Sequence, residues 1–176
     1  MASSSSSHVP PVKYDVFISF RGTDIRHGFL SHLRKELRQK QVDAYVDDRL
    51  EGGDEISKAL VKAIEGSLMS LIIFSKDYAS SKWCLEELVK IVECMARNKQ
   101  VVIPVFYNVN PTDVRHQKGT YGDSLAKHEK NKGSLAKVRN WGSALTIAAN
   151  LSGFHSSKYG VHKVSSLPST EIFPYP

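Results

Sequence analysis

The sequence contains few of the patterns that mark a secreted or membrane-spanning protein. It has two cysteines in 176 residues, and Cys84 and Cys94 lie roughly 15 Å apart on one predicted helix at about 1.5 Å per residue. That separation is too large for a disulfide, so we expect two free thiols. The amino terminus has no apolar segment of signal-peptide length, and no run approaches membrane-spanning length. These absences predict an intracellular soluble protein.

The motifs of several common enzyme classes are also absent. The seven histidines are scattered, and neither HExxH nor a Cys/His cluster occurs, which argues against a metal site. There is no GxSxG of a serine hydrolase, no GxxxxGK[ST] phosphate-binding loop and no GxGxxG after the first predicted strand. The central strand ends at Ser75 rather than at an aspartate, which argues against a phosphate-receiver domain. We expect neither a metal nor a resident cofactor.

Charge and composition suit one globular domain. The chain has 41% hydrophobic residues and a net charge of +6, which could attract the phosphates of a nucleic acid or a nucleotide. The basic residues are dispersed, however, without a helix-turn-helix pattern or zinc-finger spacing. Nucleic-acid binding is therefore the weakest hypothesis, and it predicts steeply salt-dependent binding.

Strands and helices alternate four times along the chain. Apolar runs predict strands, and helical spacing predicts helices, with strands at 14–20, 42–46, 71–74 and 101–106 and helices at 29–39, 56–64, 82–96, 121–130 and 135–151. Such alternation predicts a doubly wound parallel sheet, whose ligands bind outside the carboxyl ends of the strands. The loops at 21–26, 47–54 and 75–82 would meet there. Pro104, inside a predicted strand, indicates an edge position or a bulge.

The two ends of the chain have a different composition. Residues 1–12 are rich in serine and are predicted to be a disordered lead. Residues 13–160 form the predicted domain, in which 153–160 could supply a short last strand. No closing helix is predicted, and 161–176 are expected to be an irregular tail.

The helix after the central strand carries the main candidate site. Ser80 or Ser81 can accept a hydrogen bond from its first amides. Apolar residues at helical spacing form a core-facing stripe of Leu85, Leu88, Val89, Val92 and Ala96. Trp83 and Glu87 lie one turn apart and, at about 100° per residue, project away from that stripe.

Two interpretations of this pair stay open from the pattern alone. In one, Trp83 packs under a loop and Glu87 is solvated near Lys90, as most surface charges are. In the other, both line a pocket. Glu86 has Lys90 at the favoured i+4 position. Glu87 has Ile91 there, so it has the weaker case for a structural ion pair.

Four motifs together resemble the TIR domain of plant intracellular immune receptors. They are KYDVFISFRGTDIR at 13–26, SSKWCLEEL at 80–88, VFYNVNPTDVR at 105–115 and WGSALTIAANLSG at 141–153. They follow the order and spacing of that family over about residues 13–160. The resemblance implies a flavodoxin-like three-layer sandwich around a parallel sheet of four to five strands.

The resemblance also implies an activity. TIR domains of this kind cleave NAD⁺ or NADP⁺, release nicotinamide and make ADP-ribose products, including cyclic forms, that signal in defence and cell death in the cytoplasm, with the nucleus a further compartment. The essential glutamate maps to Glu87. The implied substrate-binding residues are Phe20, Arg21, Gly22, Arg26, Ser80 and Trp83. For each arginine, a solvated surface charge is the alternative.

Other residues of the resemblance concern assembly. Ser31 and His32 resemble a self-association pair, and Gly153 lies where a second contact forms. Association with other TIR domains would complete the pocket by bringing the loop at 47–54 against another protomer. The alternative for Ser31 and His32 is an exposed helical turn. The alternative for the whole domain is a non-catalytic module that scaffolds or inhibits full-length receptors.

Three features depart from the family's pattern. Glu51 and Gly52 precede Gly53, where family members often carry a basic residue before the glycine. The closing helix is not predicted, and the nucleotide-binding ATPase and leucine-rich repeats of the family's receptors do not follow. We therefore expect a TIR-only or truncated form.

Overall fold

The computed structural model describes residues 11–47, 56–131 and 133–156, with the side chains of Thr23 and Asp24 excepted. Within these ranges the strands are β1 (Tyr14–Phe20), β2 (Ala44–Val46), β3 (Ser67–Phe74), β4 (Val101–Phe106) and β5 (Phe154–His155). The helices are α1 (Thr23–His27), α2 (Phe29–Gln39), α3 (Lys58–Glu65), α4 (Lys82–Asn98), α5 (Pro111–Arg115), α6 (Thr120–Lys130) and α7 (Leu135–Ala149). A 3-10 turn, Tyr78–Ser80, lies between β3 and α4.

The five strands of the described ranges form one parallel sheet in the order β2-β1-β3-β4-β5. This is the flavodoxin-like strand order, so the predicted α/β fold with four to five parallel strands is confirmed. Because β1 lies between β2 and β3, the chain moves first to one side of β1 and then to the other. That reversal is the switch point at which such sheets bind ligands, outside the carboxyl ends of the strands.

Burial explains the composition of the central strand, β3. It pairs with β1 and β4, and seven of its eight residues are buried, as expected for a parallel strand covered on both faces. The predicted strand begins at Leu71, whereas β3 begins at Ser67. The polar residues Ser67 and Ser70 break the apolar run in the sequence, but their hydroxyls have hydrogen-bond partners inside the fold. Ser67 Oγ donates to the carbonyl of Ala63 at 2.7 Å, and Ser70 Oγ donates to Gln100 Oε1 at 3.0 Å.

Helices cover both faces of the sheet and complete the three layers. α1 and α2 pack on one face, against apolar residues of β1, β3 and β4. α3, α4, α6 and α7 pack on the other face, around Phe17, Ile72 and Phe74. The strands therefore bury side chains on both faces, which is why the predicted ones read as apolar runs rather than as alternating patterns.

Two local predictions concern residues 21–26 and Pro104. Residues 21–26 were expected to be a loop, but α1 begins within them at Thr23. A five-residue helix is too short to show helical periodicity in sequence. Pro104 pairs with β3, while β5 pairs only with residues 105 and 106. β4 is thus not an edge strand, although Pro104 itself has a ladder partner on the β3 side only.

Several predictions lie outside the described residues. They concern Glu51 and Gly52, most of the loop at 47–54, the lead over residues 1–10, the expectation that no closing helix follows, and the tail at 161–176.

Candidate functional site

Glu87 lies in the second turn of α4 and is almost entirely buried, with 3% of its surface exposed. Ser81 caps this helix, because its Oγ accepts from the amide of Cys84 at 3.3 Å. Ser19 Oγ donates to Glu87 Oε2 at 2.6 Å. Since Ser19 is the penultimate residue of β1, the carboxylate lies at the carboxyl end of β1, beside the switch point.

The face of α4 that packs on the sheet differs from the predicted stripe. Leu85 and Leu88 of the predicted stripe are buried, whereas Val89 and Val92 are only half-buried and Ala96 is exposed, so the stripe was predicted correctly only in part. The prediction assigned Glu87 to the outer face because, at about 100° per residue, it lies opposite the predicted stripe. Glu87 is buried instead. The solvated interpretation of Glu87 is therefore wrong. The buried residues of α4 are Cys84, Leu85, Glu87, Leu88, Ile91 and Cys94.

The ion pairs of α4 also differ from the prediction. Lys90 Nζ lies 2.6 Å from Glu65 Oε1 on α3 and 3.8 Å from Glu93 Oε2. Glu86 Oε1 lies 2.8 Å from Lys137 Nζ on α7. The predicted pairing of Glu86 with Lys90 is thus replaced by pairs that join α4 to both neighbouring helices.

Two buried hydroxyls that the sequence reasoning missed, those of Ser19 and Tyr78, are linked by hydrogen bonds to the carboxylate, Ser19 directly and Tyr78 through Ser19. Tyr78 Oη lies 2.8 Å from Ser19 Oγ and donates to the carbonyl of Cys84 at 3.1 Å. Burial, followed by the charges of Cys84 and Glu87, raises the pKa of Tyr78 well above its ordinary value. The available signal was weak, since it consisted of one serine within the apolar run of β1.

The segment after β1 is tied to the start of α4 and to the end of β3. The carbonyl of Phe20 accepts from Cys84 Sγ at 3.4 Å, and the carbonyl of Arg21 accepts from Ser75 Oγ at 3.2 Å. Gly22 has a φ of +105°, in the left-handed region that favours glycine. The structure therefore brings this predicted binding segment to the edge where Glu87 lies.

Several charged groups near Cys84 affect the pKa of its thiol. Burial, followed by the negative charge of Glu87, raises the pKa of the Cys84 thiol. The hydrogen bond from Ser81 and the guanidinium of Arg21 act in the opposite direction, and Asp47 acts in the same direction as Glu87. Charges of both signs therefore act at this position, from Arg21 just after β1, Asp47 just after β2 and Glu87 on α4.

The other predicted substrate-binding residues have varied exposure. The guanidinium carbon of Arg26 lies 5.0 Å from the centroid of the Phe20 ring, a cation–π arrangement. Trp83 is half-buried and packs against the core cluster under α4. Ser80 is exposed, and its Oγ donates to the carbonyl of Asp77 at 2.6 Å.

The residues predicted for self-association lie away from Glu87. Ser31 and His32 are exposed on α2, which packs on the opposite face of the sheet from α4. Ser31 Oγ bonds locally, to the carbonyls of His27 and Gly28 at 3.1 and 3.0 Å. Gly153 precedes β5 and is exposed.

The strand order, the flanking helices and the polar groups at the switch point together define an α/β domain of the TIR type. A family model described as "TIR domain" matches residues 13–165. The chain therefore belongs to the TIR domain family.

Its relatives are plant disease resistance proteins. The chain is 50% identical to TMV resistance protein N of Nicotiana glutinosa over 155 residues, 87% of this chain and 13% of that protein. It is 47% identical to disease resistance protein RPV1 of Vitis rotundifolia over 156 residues, 86% of this chain and 11% of that protein. The chain thus spans only a small part of the length of these relatives.

A solved structure supports the same assignment. The match is to the TIR domains of a structure described as the activated Roq1 resistosome directly recognizing the pathogen effector XopQ. They superpose on this chain with a TM-score of 0.82 at 41% identity. The match covers 92% of this chain and all of that chain. The domain is therefore a TIR domain of the kind found in plant disease resistance proteins.

Two absences concern only the part of the chain that the structure describes. None of the helices there combines the length and the apolarity needed to cross a membrane. No group of three or more His, Cys, Asp or Glu side chains there could hold a metal ion.

Proposed function

We propose that this TIR domain is an NAD⁺ nucleosidase that cleaves the nicotinamide–ribose bond of NAD⁺ or NADP⁺ and thereby signals in plant defence. The observation that supports it best is the buried carboxylate of Glu87, fixed by Ser19 at the carboxyl end of β1. A charge in a water-poor site acts more strongly than one in solvent. The relatives support the defence role, because their names describe resistance proteins.

The reaction asks for one carboxylate rather than two. The bond between ribose C1′ and the pyridinium nitrogen breaks, and its electron pair neutralises the nicotinamide, which leaves without needing a proton. Most glycosidases also require a general acid, because an alcohol leaving group must be protonated. What remains is an oxocarbenium-like ribose that the anionic Glu87 stabilises electrostatically. Water then adds at C1′ and loses a proton, giving ADP-ribose, or a nucleophile within the same molecule closes a cyclic product.

The residues around Glu87 have complementary roles in this proposal. Arg21 binds the pyrophosphate, since a guanidinium fits phosphate oxygens through paired hydrogen bonds. Trp83 offers a stacking face to the adenine. Gly22 keeps the segment after β1 in a left-handed turn that brings its backbone close to the ligand. Phe20, Arg26 and Ser80 complete the binding residues.

Assembly is part of the proposal. The structural neighbour comes from an activated resistosome, and we propose that TIR–TIR contacts through Ser31, His32 and Gly153 raise the activity of this chain. The same proposal places its action in the cytoplasm, with the nucleus a second compartment.

The decisive experiment measures nicotinamide release from NAD⁺ by the 176-residue chain over a range of protein concentrations. We expect Glu87→Gln to reduce kcat at least about 100-fold, because it removes the charge that faces the developing cation. Glu86→Gln is the matched control, since Glu86 is the adjacent residue of α4 and pairs with Lys137 instead. If the wild-type chain releases no more nicotinamide than Glu87→Gln at any concentration, the enzymatic proposal is wrong.

That negative result would support the second candidate, a non-catalytic TIR–TIR interaction module. The buried hydrogen bond of Glu87 to Ser19 is compatible with a purely structural glutamate. The exposed Ser31 and His32 would then be the functional surface. In that case Glu87→Gln would lower stability without changing association of the chain with a full-length receptor.

A further inference from the structure

Ser19 and Tyr78 are buried polar side chains for which the reaction above has no chemical role. Both are 0% exposed. Their hydroxyls form a series of three hydrogen-bond contacts that runs from Glu87 Oε2 to Ser19 Oγ (2.6 Å), on to Tyr78 Oη (2.8 Å) and then to the carbonyl of Cys84 (3.1 Å). This series connects β1, the 3-10 turn and α4, which meet at the switch point.

Counting protons fixes the direction of these hydrogen bonds. The carbonyl of Cys84 can only accept, Ser19 Oγ donates to Glu87 Oε2, and each hydroxyl has one proton to donate. Three contacts therefore share two protons. The shortest contact, Ser19 to Glu87, has the length of a charge-assisted O–H···O⁻ bond, so the Ser19 proton lies there. Tyr78 divides its proton between Ser19 and the Cys84 carbonyl.

This arrangement matters for catalysis because the hydrogen bond from Ser19 restricts rotation of the Glu87 carboxylate. The last torsion of a glutamate side chain is broad, so the plane of a carboxylate without a directed donor is poorly defined. A donor on Oε2 fixes that plane. Electrostatic stabilisation depends on charge that is already in place before the reaction begins. Tyr78 acts one step further away, because it holds Ser19 and the first turn of α4 together.

We propose that Ser19 is a positioning residue that orients the Glu87 carboxylate for cleavage, and that Tyr78 supports it. This inference rests on the proposed function.

The test compares two substitutions of nearly equal shape at one position. Ser19→Thr keeps the hydroxyl, whereas Ser19→Val replaces it with a methyl group. Both add bulk to the same packed site, so any strain is shared. We expect Ser19→Val to have a kcat at least about 10-fold below that of Ser19→Thr with little change in KM. Tyr78→Phe should lower kcat by a smaller factor, because Ser19 can still donate to Glu87.

A second serine supplies the control for loss of a buried hydroxyl. Ser70 on β3 is also 0% exposed and donates to Gln100 at 3.0 Å, but it pairs with Phe17 in the middle of β1, two residues before Ser19. Ser70→Thr and Ser70→Val should therefore have equal kcat values, even where their thermal midpoints differ. Ser19→Ala, which cannot clash, repeats the comparison against wild type if the bulkier pair does not fold.

The outcomes separate the two proposals. If wild type cleaves NAD⁺ in a Glu87-dependent way but the folded Ser19 variants without the hydroxyl match their hydroxyl-bearing partners, the positioning role is wrong and the proposed function stands. If wild type and Glu87→Gln do not differ, both proposals are wrong. If Ser70→Thr and Ser70→Val differ in kcat as much as Ser19→Thr and Ser19→Val do, the Ser19 effect reflects a general loss of packing and the positioning role is wrong.

Discussion

Gly153 packs its backbone against β4 so closely that no side chain fits. A Cβ at this position would lie 2.1 Å from the carbonyl oxygen and 2.6 Å from Cγ of Pro104. The carbonyl belongs to the backbone of a strand paired with β3, so it cannot move aside as a flexible side chain would. A purely structural requirement for glycine therefore exists alongside its predicted role in self-association.

We expect Gly153→Ala to lower the free energy of unfolding by about 1–3 kcal/mol, as overpacking usually does. Urea unfolding monitored by tryptophan fluorescence measures it. The control is Gly142→Ala in α7, where a Cβ would meet nothing closer than 3.6 Å and where alanine is the better helix former. Equal stability of Gly153→Ala and wild type would contradict the packing argument. Loss of association in Gly153→Ala identifies an interface only if the folded state is intact.

Single residues also limit what the sequence could reveal. The pattern alone left Glu87 between a solvated surface and a pocket and placed it on the wrong face of α4, while the resemblance supplied its catalytic role. Ser19 and Tyr78 lie 68 and 9 positions from Glu87, and Ser19 lies 59 positions from Tyr78. No local pattern encodes contacts over the longer distances, so the hydroxyls around the carboxylate could not be predicted.

At the scale of single elements, α4 depends on its amino-terminal cap. Ser81 accepts from the amide of Cys84, and the turn it starts carries both Trp83 and the carbonyl that Tyr78 binds. The cap at Ser81 therefore fixes the first turn of α4, from which both of these groups project.

We expect Ser81→Ala to lower the free energy of unfolding by about 1 kcal/mol, the usual effect of losing a helix cap. Ser80→Ala is the matched control. Ser80 is exposed and donates to the carbonyl of Asp77 rather than accepting from a helix amide, so its replacement should have less effect. Chemical unfolding of both variants side by side makes the comparison. A larger loss at Ser80 would show that the 3-10 turn, and not the cap, holds the start of α4.

The elements themselves were largely predictable, for physical reasons that also explain the misses. Buried parallel strands are apolar throughout, so β1, the second half of β3 and β4 are visible as runs. The first half of β3 was missed because its serines bond to groups contributed by α3 and Gln100. Long amphipathic helices such as α2 show a clear period, whereas the five residues of α1 cannot.

At the scale of the whole molecule, buried cysteine and tyrosine side chains make the free energy of unfolding fall at alkaline pH. Burial is the largest cause that raises the pKa values of Cys84, Cys94, Tyr78 and Tyr121 above their ordinary values, which are 9.0 for cysteine and 10.0 for tyrosine. These groups stay protonated in the folded state at a pH where the unfolded chain has lost the same protons. Stability then falls as pH rises, because the folded state binds more protons.

We therefore expect the free energy of unfolding to be steady below about pH 9 and to decline above it, by up to about 1.4 kcal/mol per pH unit for each such group. Urea unfolding at a series of pH values from neutral to alkaline measures the decline. Cys84→Ala should make it shallower from about pH 9, and Tyr78→Phe from about pH 10. An unchanged slope in both variants would mean that other groups control alkaline stability.

The distances along the chain between the groups that surround Glu87 have a consequence for biosynthesis. A nascent chain contains β1 and Ser19 long before it contains α4, and the contact between Ser19 and Glu87 closes a loop of 68 residues. Fragments that end before residue 87, whether from early termination or from proteolysis, lack the carboxylate altogether. The proposed NAD⁺ cleavage should therefore begin only after β1, β2, β3 and the start of α4 have been synthesised.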